Sequence, residues 1–239
     1  MSGATASGEQ STVAAASDQD NRQLAAGHVD SAPQRPLGGW VKRVVDLAVS
    51  LTALALAAPI MLVIALALKA TLRGPVIFSH GRVGFNGRMF KCYKFRSMVT
   101  DSQRVLEDHL ARNPDAAREW QATQKLRHDP RITVFGQMLR KSSLDELPQL
   151  FNIMLGDMSC VGPRPVVADE LQRYGIFAAD YLRTRPGLTG LWQVNGRSNT
   201  DYARRVFLDS QYVRTWSLGG DIAIMVRTVF AVMRFDQTS

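Results

Sequence analysis

A chain of 239 residues, 46% hydrophobic and 21% charged, has room for one folded domain with a real core and some additional sequence. Its composition excludes a collagen, a coiled coil and a wholly disordered chain, while two cysteines and four scattered histidines exclude a disulfide framework and a multi-cysteine zinc site and argue against a His-rich metal centre. The net charge of +8 divides into −2 over residues 1–38 and +10 over the remainder, so the body of the chain calls for an anionic partner: nucleic acid, acidic headgroups or a phosphorylated substrate.

Residues 1–38 are rich in Ala, Ser, Gly, Gln and Asp, with Val13, Leu24, Val29 and Leu37 as the large aliphatics. So little apolar surface does not offset ordering entropy, and a disordered tail is expected, without the basic-then-apolar layout of a signal peptide.

The character changes at Trp40. Lys42, Arg43 and Asp46 precede Leu47–Leu68, 22 uncharged residues interrupted by Ser50, Thr52 and Pro59. A straight helix of that length reaches roughly 33 Å, about the hydrocarbon thickness of a bilayer, so membrane association is expected. Basic residues flank both ends, with Lys69 and Arg73 following. A single crossing shows positive charge mainly on one side, and Pro59 removes a backbone donor near the middle. Both points favour a re-entrant helix over residues 39–72 that bends at Ala58-Pro59; a kinked single span is the alternative.

No Asp or Glu occurs between Asp46 and Asp101, whereas Arg82, Arg88, Lys91, Lys94 and Arg96 do. Val76–Ser79 and Met89–Phe95 read as strands joined by a turn at Phe85-Asn86-Gly87. Their basic surface suits anionic headgroups, at about 1 kcal/mol per residue, or a phosphate-binding wall. Residues 102–128 read as charged, mostly helical surface broken at Asn113-Pro114. Helices are expected over Val134–Lys141, Pro148–Leu155, Val166–Arg173, Phe177–Arg183 and Tyr202–Thr215. The last, Leu218–Met233, is apolar enough to serve as core or to lie in the membrane interface.

Chemistry concentrates in Ser142-Ser143-Leu144-Asp145-Glu146-Leu147-Pro148. Proline favours the first helical position, so two adjacent carboxylates stand just ahead of a helix. Ser143 and Glu146 also have capping-box spacing, which offers a purely structural role. The functional reading gives one carboxylate to attack on phosphorus and its neighbour to a divalent cation. Mg²⁺ suits such a site because it needs few carboxylates and completes its shell with water and phosphate oxygens. Gly162-Pro163-Arg164-Pro165, Arg185-Pro186-Gly187-Leu188-Thr189-Gly190 and Asn195-Gly196-Arg197 hold arginines on stiff turns, beside glycines that allow close backbone approach to a ligand. Such guanidinium groups suit bidentate phosphate recognition. With Lys94 and Arg96 they point to a polyanionic ligand.

These segments occur in an order that resembles the bacterial sugar transferase family, the small monotopic phosphoglycosyl transferases. The resemblance covers about residues 40–235 and rests on Lys42-Arg43…Asp46, Tyr93-Lys94-Phe95-Arg96-Ser97-Met98, Asp129-Pro130-Arg131-Ile132-Thr133, Leu144-Asp145-Glu146-Leu147-Pro148-Gln149, Gly156-Asp157-Met158-Ser159, Val161-Gly162-Pro163-Arg164-Pro165 and the Arg185–Gly190 segment. It implies transfer of a hexose 1-phosphate, galactose or glucose, from a UDP-sugar to undecaprenyl phosphate, releasing UMP as the first membrane step of exopolysaccharide synthesis. By the same resemblance Asp145 is the nucleophile that forms a phosphosugar-aspartyl intermediate and Glu146 binds Mg²⁺. Lys94, Arg96, Arg164, Arg185, Gly187, Thr189, Gly190, Arg197 and Asp209 then belong to the substrate and phosphate site. The family's membrane helix often breaks at Ser-Pro, where this chain has Ala58-Pro59.

The expected fold is α+β and mainly helical, with a disordered tail (1–38), a re-entrant membrane helix (39–72) and a small cytoplasmic catalytic domain (73–239) carrying a short antiparallel β-hairpin. The expected partners are a UDP-sugar, a polyprenyl phosphate, the lipids of the bacterial inner membrane at its cytoplasmic face, and a second copy in a homodimer. Nucleic acid is disfavoured, because the basic stretch has no recognisable nucleic-acid motif and adjoins the apolar segment. A UDP-releasing glycosyltransferase and a membrane-tethered protein that binds anionic lipid are the competing readings.

Overall fold

The computed structural model describes residues 35–72, 74–123, 126–195 and 201–233. Helix α1, Gly39–Thr71, is assigned as one helix of 33 residues that runs through Pro59. It opens after Gly38, whose φ of 77° is left-handed, and has Lys69 in its last turn, where a cation complements the helix dipole. The hairpin follows as β1, Ile77–Val83, and β2, Met89–Phe95, paired antiparallel from Ile77↔Phe95 to Val83↔Met89. Asn86 and Gly87 both take positive φ in the tight connection, which suits these two residue types.

Helices α2, Ser102–Arg112, and α3, Pro114–Thr123, flank the expected break at Asn113. Then come α4, Val134–Lys141, a 3₁₀ turn at Leu144–Glu146, and α5, Gln149–Leu155. The Thr133 hydroxyl accepts a hydrogen bond from Gly136 N at 2.9 Å and so caps α4. Strand β3, Ser159–Val161, lies beyond α5; α6, Ala168–Gln172, and α7, Ala178–Leu182, lead to β4, Gly187–Thr189. Strands β3 and β4 pair in parallel, Ser159↔Gly187 and Val161↔Thr189, an addition to the single hairpin that the sequence predicts. Helices α8, Leu191–Val194, α9, Tyr202–Arg214, and α10, Leu218–Met233, complete the described chain.

Three apolar clusters hold these elements together. One joins β2, α5, β3, α9 and α10 through Cys92, Leu150, Ile153, Met158, Val161, Tyr212 and Ile224. A second sets the C-terminal half of α1, at Met61, Ile64 and Leu68, on Phe95 and Leu139. A third gathers Val83, Val166, Tyr174, Tyr181 and Val206.

Helix α1 is built inside out. The residues it buries in its N-terminal half are polar: Lys42, Asp46 and Ser50, one turn apart on one face. Lys42 Nζ lies 2.6 Å from Asp221 Oδ2 of α10, and Asp46 Oδ1 accepts from Ser159 Oγ and Cys160 N, each at 2.9 Å. Arg43 donates to the carbonyls of Ile153 and Met154 at the end of α5. Lys42 and Arg43 are therefore engaged inside the domain, rather than free to flank a bilayer as the sequence pattern suggests. The outward face is apolar instead, with Leu51, Leu56, Ile60, Leu62, Val63 and Leu66 exposed. Among the described residues α1 is the one helix long and apolar enough to cross a membrane. Helix α10 divides in the same manner: Asp221 and Ile224 are buried, whereas Ile222, Val226, Val229 and Phe230 are exposed.

Candidate active site

The turn that carries the two carboxylates is fixed from both sides. Ser143 adopts a left-handed conformation, φ 56°, and its side chain caps nothing, so the capping box expected from its spacing to Glu146 does not form. Glu146 is turned to β2 instead, with Oε1 2.6 Å from Lys94 Nζ. Asn152 of α5 sets this meeting. Its side chain accepts from Tyr93 N at 2.9 Å and donates to Lys91 O at 2.7 Å, taking the place of a neighbouring strand along β2. Because Asn152 is fully buried, these two bonds leave little freedom between α5 and the strand that bears Lys94.

Beside this turn lies a cavity of about 660 Å³. Arg82, Lys94, Arg164 and Arg205 line it against one carboxylate, Glu146, so the lining favours an anion. Its apolar side comes from Val49 and Ala53 of α1, Met225 and Val229 of α10, and Leu147, Leu150 and Leu188. The cavity thus combines a cationic wall with an apolar wall made by the two helices that expose apolar faces.

Of the residues singled out in the sequence, Lys94, Glu146, Arg164, Gly187 and Thr189 line this cavity. Asp145 is 7% exposed and lies between Leu144 and Glu146, both of them wall residues. Burial, and next the charge of Glu146, push its carboxyl up to about 6, while Lys94 and Arg140 pull it down. Arg96, Arg185, Gly190 and Asp209 are not wall residues. Arg96 is buried and packs against Gly74, at whose position a Cβ would lie 2.7 Å from the guanidinium. Arg185 Nε donates to Gly156 O at 2.7 Å and so closes the C-terminus of α5. Asp209 is buried behind the site and accepts from the Tyr174 hydroxyl at 2.9 Å. Burial pushes its carboxyl up to about 7, against the lowering effect of that hydroxyl, the Arg164 backbone amide and the charges of Arg205 and Arg164. Gly196 and Arg197 lie outside the described residues.

Gly187 and Gly190 lie against backbone. A Cβ on Gly187 would fall 2.1 Å from Gly162 N, and one on Gly190 2.3 Å from Gly162 O. These are contacts of backbone with backbone, so the glycines bring the Arg164 loop against β4. Thr189 Oγ1 meets Thr228 Oγ1 at 2.7 Å, tying β4 to α10 at the cavity wall.

Arg82, from the basic hairpin, is also on the wall, together with three polar residues that no motif in the sequence marks: Trp192, Gln193 and Arg205. The two cysteines also line the cavity. Burial pushes both thiols up, Cys160 to about 12 with Asp46 adding to the effect. Both are therefore neutral near pH 7. Among the described residues no three His, Cys, Asp or Glu side chains converge as a ready metal cage.

The sequence profile of bacterial sugar transferases matches residues 37–235. Exopolysaccharide production protein ExoY of Rhizobium meliloti (strain 1021) is 53% identical over 198 residues, covering 83% of this chain and 88% of that protein. An undecaprenyl-phosphate galactose phosphotransferase of Salmonella typhimurium is 52% identical over 198 residues, 82% of this chain and 41% of that longer protein. An undecaprenyl-phosphate glucose phosphotransferase of Komagataeibacter xylinus is 41% identical over 211 residues, 82% of this chain and 37% of its own length. The whole cavity, from Val49 to Val229, falls within the matched residues, and the chain belongs to the bacterial sugar transferase family.

Proposed function

We propose that this protein moves a hexose 1-phosphate, of galactose or glucose, from a UDP-sugar to undecaprenyl phosphate at the cytoplasmic face of the bacterial inner membrane, releasing UMP. The observation that carries the reading is the meeting of Lys94, Arg82, Arg164 and Arg205 with the Asp145-Glu146 turn in one cavity whose other side is made by apolar residues of α1 and α10. A diphosphate and then a phosphate have to occupy one site, and the charge of each requires fixed cations. A lipid-borne acceptor needs an apolar approach. The names of the Salmonella and Komagataeibacter relatives supply the acceptor and the two sugars.

In the first step a carboxylate oxygen of Asp145 attacks the sugar-bearing phosphorus of the donor. The bond from that phosphorus to the bridging oxygen breaks, UMP leaves, and the sugar phosphate is held as an acyl phosphate on Asp145. In the second step an oxygen of the polyprenyl phosphate attacks the same phosphorus, and Asp145 is released with the polyprenyl diphosphate sugar. Two displacements divide one difficult transfer and let the soluble and the lipid substrate use the cavity in turn. The raised carboxyl of Asp145 is consistent with a nucleophile kept out of water.

The residues fit Mg²⁺ sparsely but in the manner that this ion prefers. Glu146 is half-exposed beside Asp145, and substrate phosphates and water are the natural remaining ligands. When bound there, the ion would neutralise the diphosphate; Glu146 would hold it, oriented by Lys94.

The test is nucleotide release by the protein in nanodiscs supplied with UDP-galactose or UDP-glucose, undecaprenyl phosphate and Mg²⁺. Formation of UMP with either sugar that is lost in Asp145→Asn supports the reading. UDP as the product would replace it with a glycosyltransferase, and anionic-lipid binding without turnover would replace it with a tethered binding protein.

A further inference from the structure

Three residues that line the cavity each carry a buried polar side-chain atom without a hydrogen-bond partner among the described residues: Trp192 Nε1, Gln193 Oε1 and Arg205 Nε. An unpaired buried polar group is costly, and native interiors keep few of them. Three on neighbouring side chains mark a place where a bound molecule completes the bonding. The side chains are also held in place. The Arg205 guanidinium stacks 4.3 Å from the centroid of the Trp192 ring, and Gln193 packs so close to Gly190 that a Cβ there would fall 2.8 Å from Oε1.

The atoms define what they take. Two are N–H donors and one is an acceptor, so the complementary group has two acceptors and one donor. Phosphate offers acceptors alone and would leave Gln193 Oε1 unpaired. The pairing edge of guanine has the opposite balance, and that of adenine lacks one acceptor. A pyrimidine base has the required set; in uracil O2 and O4 accept and N3–H donates. We propose that Trp192, Gln193 and Arg205 form the subsite for the pyrimidine base of the nucleotide donor, which is uracil under the reading of the donor as a UDP-sugar. The proposal rests on that reading. It assigns nucleotide selectivity to a wall separate from the Asp145-Glu146 turn.

Calorimetric binding of UMP and AMP to the full-length protein in nanodiscs tests it. The wild type is expected to prefer UMP over AMP by at least tenfold, about the effect of one lost hydrogen bond in a dry site. Gln193→Leu and Trp192→Phe should each weaken UMP by about tenfold. Trp192→Phe keeps a ring for Arg205 to stack on, and an unaltered unfolding temperature shows that the fold persists. UMP affinity unchanged in both variants would overturn the subsite, as would a changed preference between UDP-galactose and UDP-glucose with UMP binding intact, which assigns the wall to the sugar. Wild-type protein that releases UMP while the variants bind UMP normally removes the subsite alone. Wild-type protein that neither binds nor releases UMP removes the UDP-sugar reading along with it.

Discussion

Lys94 Nζ sits 2.6 Å from Glu146 Oε1, joining the end of the hairpin to the turn that carries both carboxylates. The pair is only about two-thirds buried, so its Coulomb energy is screened and its effect on stability is small. Its consequence is electrostatic and local. The Lys94 charge is the larger of two that draw the Asp145 carboxyl down, against burial and Glu146.

The acid side of the pH–activity profile follows from this. An acid with its carboxyl near 6 loses its nucleophilic anion as pH falls through that value. Lys94→Met removes a lowering charge, so the acid limb moves to higher pH. UMP release measured between pH 5 and 8 for both proteins checks the direction. An unmoved limb would show that Asp145 is not the group that titrates.

The Lys42–Asp221 pair is a different case, since both side chains are almost wholly buried, 5% and 3% exposed. Asp221 also accepts from the Tyr212 hydroxyl at 2.7 Å and from Trp216 Nε1 at 3.0 Å. Lys42→Met leaves a buried carboxylate with its main cation removed and is expected to destabilise the domain by about 3–5 kcal/mol. Lys42→Met with Asp221→Asn should recover a large part of that loss. Urea unfolding of the two variants in detergent gives the comparison.

Asp209 gives stability a pH dependence of unusual sign. Its folded carboxyl is raised to about 7, above its ordinary value, because burial disfavours the anion. The folded state therefore holds the proton more tightly than the unfolded chain. The stabilisation is complete below about pH 4, the usual Asp range, and is lost as pH rises through 7. Asp209→Asn retains an acceptor for Tyr174 and abolishes this slope, which is on the order of a few kcal/mol across the window. Unfolding free energies at pH 5 and pH 8 should differ less in the variant than in the wild type.

Gly187→Ala should separate β3 from β4. The added methyl meets Gly162 N at 2.1 Å, backbone that has no rotamer with which to give way. Overpacking of this kind costs about 1–3 kcal/mol or more, and here it would also displace the Arg164 loop and Thr189 from the cavity wall. The expected outcome is a lower unfolding temperature together with a raised KM for the nucleotide sugar.

Local chemistry made many of the elements legible in the sequence. The bounds of β2, α4 and α10 agree with their patterns because turn residues or a cap mark their ends: Asn86-Gly87 before β2, Thr133 before α4, Ser217 before α10. Strands β3 and β4 are three residues each among glycines and prolines, too short for any alternation to show. The capping box failed because a tertiary partner, Lys94, competes for Glu146. Arg185 suits phosphate by type, and the structure adds a bond from its Nε to a helix end 29 residues away, which no local pattern reports. Trp192, Gln193 and Arg205 carry no mark in the sequence because the cavity is assembled from β1, the loops after α4 and β3, and α8 to α10. No periodicity along the chain reports such a convergence. The inverted burial of α1 was likewise hidden, since Lys42 and Asp46 read as ordinary flanking charges until Asp221 and Ser159 come to meet them.

The covalent step is the central claim, and intact-protein mass spectrometry tests it most directly. Protein incubated with the UDP-sugar and Mg²⁺ in the absence of lipid acceptor, then quenched in acid, should gain the mass of one hexose phosphate, located by peptide mapping to Asp145. Asp145→Asn should gain nothing, and undecaprenyl phosphate should discharge the wild-type adduct. UMP formed at the full rate by protein that carries no adduct with or without acceptor, or an adduct on any other residue, would contradict the account.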